Sequence, residues 1–229
     1  MSDTTVRVLL WSAVTIGVFL AARALHRRWP SRWLAPIIVT PVVVALAMSL
    51  LHARYDEYLD GTHWLIAMLG PVTVAFAVPI YEQRALIRAQ WRVLLLGMLA
   101  GNFTSVVTSW ALALLVGLDA ELQRSLLPRS ITTPFAMSVS GTIGGIPALT
   151  AAFAAITGIL GALVGDLLLV RLQLKSTLAR GALFGVGAHG IGTARAHQVG
   201  RGEGAVAGLC MVLAGLMSVL VAPLIALAL

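Results

Sequence analysis

The feature that most constrains this chain is a succession of uncharged runs close to the length that crosses a bilayer. They cover residues 8–22, 33–53, 61–81, 93–118, 130–165 and 204–229, and a shorter run, 181–194, lies between the last two. About 20 apolar residues cross the hydrocarbon as a helix. The first run is short, but Arg7 and Arg23 flank it and can snorkel to the interfaces. Only 11% of the residues are charged, against about 25% in a soluble domain. A water-facing surface cannot be assembled from so few charges, so lipid must cover much of the exterior. The expectation is an all-α polytopic integral membrane protein, a single membrane domain over residues 1–229.

Two stretches resist reading as ordinary spans. The run 130–165 has 36 residues, too many for one helix, and its first part holds Pro134, Gly141, Gly144, Gly145 and Pro147. It predicts a broken or re-entrant segment over about 130–145, followed by a helix over about 146–170. The stretch 181–202 carries seven glycines, a density poorly suited to a continuous lipid-facing helix. Irregular backbone at membrane depth survives only inside protein or along a wet cavity. The count is therefore about six transmembrane helices plus two broken or re-entrant segments, with eight spans as the rival.

Charge orients the chain. If both broken segments are re-entrant, the loops at 23–32, 84–92 and 171–203 share one side and hold 12 of the 16 basic residues. Six of the nine acids fall on the other side. The basic side is then cytoplasmic and both termini lie outside. The same distribution accounts for the net charge of +7 without nucleic acid. The basic cluster at 23–32 follows the first apolar run instead of preceding it, so that run reads as a retained helix and not a signal peptide. Cys210, the single cysteine, reads as a small hydrophobe.

A weak repeat is visible. Val78-Pro79-Ile80 precedes Gly97 and Gly101, and Thr133-Pro134-Phe135 precedes Gly158 and Gly161. Internal repeats suit transporter folds. Gly97 and Gly101 at a spacing of four read as ordinary small-residue packing. Gly70-Pro71 with Thr73 and Pro79 would break the third helix. Glu82 and Asp166 read as solvated acids near helix ends. The chain holds no P-loop, no zinc-protease motif and no nucleophile elbow. No enzyme, metal or cofactor is expected; a coupling H+ or Na+ stays open.

Chemistry gathers at two places. In Arg129-Ser130-Ile131-Thr132-Thr133-Pro134, the proline biases Thr133 away from helix. A helix beginning at Pro134 would aim free N–H groups and hydroxyls at one point, an anion site in kind. The competing reading is a plain threonine cap. The second place, from Gly187 to Ala196, brings His189, Thr193 and Arg195 together on glycine-rich backbone. Arg195 either grips a carboxylate, which its fork fits, or stands as a cytoplasmic interface charge. The candidate substrate-binding set is Ser130, Thr132, Thr133, Pro134, His189, Thr193 and Arg195, with Thr73 and Asn102 held behind it.

These residues also carry a resemblance. The stretches 130–136, 144–151, 157–158, 179–181, 189–196 and 203–205, with 69–75 and 78–81 earlier, resemble the LrgB/CidB family from about residue 60 to the C-terminus. Arg195 stands where lysine is more usual in that family. The resemblance implies two functions. One is carriage of small carboxylates: glycolate and glycerate in plastid relatives, pyruvate-like acids in bacteria. The other is a holin/antiholin-like role that modulates murein hydrolase export and cell lysis. It also implies the bacterial inner membrane, a small LrgA/CidA-type partner protein and a homo-oligomer.

Overall fold

The computed structural model describes residues 3–29, 31 and 34–228; Arg32, which counts among the basic loop residues, Trp33, which opens the second run, and Leu229, which ends the last, lie outside them. The described residues are mostly helical, without a strand. Eleven helices follow one another: α1 Asp3–Arg28, α2 Pro36–Leu50, α3 Tyr55–Ala67, α4 Leu69–Ala75, α5 Ala77–Glu82, α6 Arg84–Val116, α7 Ala120–Leu126, α8 Thr133–Thr142, α9 Pro147–Arg171, α10 Thr177–Val199 and α11 Arg201–Ala228. Five stretches are long and apolar enough to cross a membrane: Thr5–Arg28, Tyr55–Glu82, Arg84–Val116, Pro147–Arg171 and Arg201–Leu227. The 15 residues of α2 are apolar but shorter. Leu115, Val170 and Leu227 are each at least 75% exposed, as a lipid-covered exterior requires.

Contacts divide the chain into two compact units, Met1–Gly70 and Pro71–Leu229. In the first, α1 packs on α2 and α3. Trp11 meets Tyr58 edge-on at 5.6 Å, and the Trp64 indole donates to Ser12 Oγ at 2.8 Å. The third run is broken, as its prolines predict, into α3, α4 and α5.

The second unit holds both irregular segments, and each turns back on itself. Residues 125–146 form the first. Ile146 N–H donates to Ser125 Oγ at 2.8 Å, and Thr150 Oγ1 lies 2.8 Å from Ser125 O and 2.7 Å from Ser140 Oγ. Entry at Ser125 and exit at Ile146 therefore sit side by side. Between them the chain descends to Thr132 and returns as α8, ten residues or about 15 Å of helix. Ser125, Ser140 and Thr150 are fully buried, and their mutual hydrogen bonds tie the base of this hairpin to α9.

The second hairpin is α10. Its backbone reverses at His189, with φ 39° and ψ −121°. A Cβ added to Gly192 would lie 2.9 Å from the Phe184 carbonyl carbon. Eight residues along a straight helix span about 12 Å, so only a folded-back chain gives this contact. The two arms, 177–188 and 190–199, run in and out beside α9: Phe184 packs on Gly165 and Arg195 pairs with Asp166 at 2.7 Å. At the base, Arg180 Nη1 lies 3.5 Å from Glu203 Oε1 on α11. The geometry is that of two re-entrant hairpins; neither broken segment runs straight through as a span.

The repeat has a structural counterpart in a short proline-bearing helix before a long one, α5 before α6 and α8 before α9. Gly101 and Gly158 both receive side chains of α10, from Val186 and His189. A Cβ on Gly97 would meet nothing within 4 Å, so the pair with Gly101 is not a two-glycine helix contact. Cys210 is buried among Leu94, Met98 and Leu209, a small core hydrophobe as expected.

Candidate functional site

The tip of the first hairpin is built by Thr132 and Thr133. Thr132 is the N-cap of α8, extended at φ −61° and ψ 142°, and nearly buried. Its side chain makes no capping hydrogen bond, so the plain-cap reading of this threonine does not describe it. The helix starts one residue earlier than Pro134, with Thr133 at its first position despite the bias proline imposes. Pro134, which has no N–H to satisfy, sits in the first turn, where none is needed. Ser130 reaches sideways to the Ser105 hydroxyl on α6.

The tip of the second hairpin is His189. A positive φ on a residue with a Cβ is uncommon and is held by its surroundings. The residue is 4% exposed, and its ring lies beside the Ala154 backbone of α9. Its Nε2 is buried and has no hydrogen-bond partner among the described residues. Only glycine at 158 leaves room for it, because a Cβ there would lie 2.7 Å from His189 Cε1.

The two tips meet. A Cβ on Gly190, the first residue after the reversal, would lie 4.0 Å from Thr132 Oγ1. The N-terminus of α8 and that of the arm 190–199 therefore converge on one place. Each helix start leaves N–H groups without intrahelical partners and carries partial positive charge. Opposed broken segments of this kind favour an anion between them.

A guanidinium lies beside the tips. Arg129 Nε donates to Ser109 Oγ of α6 at 2.8 Å, and its Nη1 donates to Thr157 Oγ1 of α9 at 3.3 Å. Ala154, Thr157 and Gly158 share one face of α9, by their spacing of three and four. Imidazole and guanidinium thus rest on the same helix face. Next to Ser130 a cavity of about 350 Å³ opens among α6, α8 and α11, mostly aliphatic, with Asn102, Ser105, Ser130 and Ser218 as its polar wall. The Asn102 amide donates to Ala214 O and Ser218 Oγ of α11, both at 3.1 Å.

Of the residues singled out from sequence, the structure gathers Thr132, Thr133, Pro134 and His189 at the tips, with Ser130 adjoining them. It sets Thr193 and Arg195 apart. Thr193 faces α11, its hydroxyl 3.8 Å from Met211 Sδ. Arg195 donates from Nε to Asp166 at 2.7 Å and from Nη1 to Gln198 at 2.7 Å, so its fork is already engaged near the base of the hairpin. Asp166 is correspondingly a paired acid within α9, 19% exposed, and not a solvated one. Fold-back at His189 is the reason: it carries residues 190–195 away from the tip along the returning arm. Arg129 opens the first polar stretch and Thr157 lies in a family-like one, but neither was placed in the candidate set, and Ser109 was not singled out. The available signal was an arginine opening a 36-residue uncharged run.

Comparison with known proteins places the chain among relatives that match over most of its length. The model of the LrgB-like family matches residues 15–228, a wider reach than the motifs from residue 60 onward. The YwbG protein of Bacillus subtilis is 35% identical over 210 residues, 92% of this chain and 93% of that protein. The YxaC protein of the same organism is 32% identical over 93% of this chain and 92% of its own length. An antiholin-like protein LrgB of Bacillus cereus is 30% identical over 82% of this chain and 84% of its own. No solved structure matches the chain. With nearly its whole length inside the family model, this membrane protein belongs to the LrgB-like family.

Proposed function

We propose that the protein is a secondary carrier of a small organic anion, a monocarboxylate of the size of glycolate, glycerate or pyruvate, across the cytoplasmic membrane. One observation carries the reading: two re-entrant hairpins meet tip to tip at Thr132 and Gly190, with the buried Nε2 of His189 unpartnered beside them. Convergent helix N-termini suit a carboxylate, and Thr132 and Thr133 supply hydroxyl donors. Hairpins inserted from opposite sides also suit alternating access, in which either tip withdraws while the other seals. The test is uptake of labelled C2–C3 carboxylates by purified protein in liposomes, under imposed H+ and Na+ gradients. Saturable uptake with competition among similar acids is expected; no uptake above protein-free liposomes would defeat the reading.

The second reading is an antiholin-like role in cell lysis. What favours it is the name of the Bacillus relatives that cover most of the chain, antiholin-like protein LrgB. A small LrgA/CidA-type membrane protein would then be the functional partner. The same liposomes separate the two readings, because unselective leakage of entrapped dye, above all with the small partner present, points to a pore.

A further inference from the structure

We infer that Arg129 is the fixed counter-charge of the transported anion, the residue that makes the site select a carboxylate over a neutral molecule of the same shape. This role rests on the carrier reading. Thr157, which holds the guanidinium, lies ten residues into α9, about 15 Å from its start. The hydrocarbon core is about 30 Å thick, so the charge stands near its middle. An ionised side chain at that depth needs a partner, and such residues are functional by default.

The partners it has are neutral. Ser109 and Thr157 accept from Nε and Nη1, and no acid lies within ion-pair distance among the described residues. The two arginines at the base of the second hairpin behave differently: Arg180 faces Glu203 and Arg195 faces Asp166. A guanidinium carries five donors, and two hydroxyls leave most of the fork unused. Two hydroxyls fix its direction without neutralising it. That is how a cation is kept ready for an anion that comes and goes. Its placement matches: Arg129 precedes the Thr132 tip by three residues and rests on Thr157, next in sequence to the Gly158 that receives His189. Arg129 would take the carboxylate in a bidentate grip, while the helix starts and Thr132 take the remaining oxygens.

The experiment uses the full-length protein, wild type, Arg129→Gln and Arg129→Lys, with two readouts. The first is the shift in melting temperature in detergent on adding pyruvate or its neutral analogue pyruvamide. The second is KM for labelled pyruvate in liposomes. Wild type should be stabilised by pyruvate and not by pyruvamide. Arg129→Gln should lose that preference and raise KM about tenfold or more, and Arg129→Lys should recover part of it. Wild-type KM and preference in Arg129→Gln would overturn the role of Arg129 and leave the carrier reading standing. Stabilisation that needs Arg129, without any uptake, would overturn the carrier reading and keep the anion site. A wild type that pyruvate neither stabilises nor crosses with would overturn both. If the Arg129 variants fail to accumulate, Thr157→Val removes one hold on the guanidinium and should raise KM several-fold; an unchanged KM there overturns the proposal.

Discussion

At the scale of single residues, Thr132 separates structure from function most cleanly. Its hydroxyl sits at a helix start yet does no capping. Valine has nearly the same shape and no capping bond is lost, so Thr132→Val should leave the melting temperature close to that of wild type. If the hydroxyl meets the anion, KM should still rise several-fold. Equal KM in variant and wild type would remove Thr132 from the site, and a large loss of melting temperature would show a structural role instead. The threonines and His189 were legible in the sequence because a polar group beside proline or glycine in an uncharged run has few other reasons to be there. Arg129 was not, since its meaning comes from Ser109, 20 residues back, and Thr157, 28 residues on. Arg195 was legible only as a charge. Its partner Asp166 is 29 residues away, and no local pattern joins them.

At the scale of elements, the base of each hairpin matters as much as its tip. Ser125 is fully buried and receives the Ile146 N–H at the point where the first hairpin closes. Ser125→Ala leaves that N–H without its partner, at a cost of about 1–3 kcal/mol. A lowered melting temperature in detergent, with KM little changed for the fraction that remains folded, is the expected result. A KM that rises with no loss of stability would place Ser125 at the site and not at the hinge of the hairpin. The breaks themselves were predictable because proline and glycine act locally: Pro134 and Pro147 bracket α8, and glycines crowd both arms of α10. The direction of the returning arm was not predictable. One residue, His189, reverses it through a backbone angle that sequence alone does not favour for histidine.

At the scale of the whole molecule, orientation follows from charge and hairpins together. A hairpin enters and leaves on one side, so residues 174 and 200 must share a compartment. With the basic loops cytoplasmic, reporter tags at 28 and 174 should be cytoplasmic and tags at the two termini extracytoplasmic. A tag at 174 that reports outside would mean that the first broken segment or the charge rule has been misread, and a cytoplasmic C-terminus would sink the scheme. The all-helical membrane class was legible from apolar runs alone.

The α10 hairpin also bears on how the chain comes to be made. It is not among the helices long and apolar enough to cross a membrane, and its glycines leave backbone poorly shielded from lipid. Its arms are lined by α9 on one side and by α11 on the other, where Gly181 rests on Val206 and Gly185 on Ala207. α11 follows α10 in the chain and leaves the ribosome after it. During synthesis, therefore, the hairpin is expected to wait at the membrane surface until α11 has followed it. On this expectation it slides in when α11 provides its second wall, which makes the arrival of α11 the step that seats the hairpin.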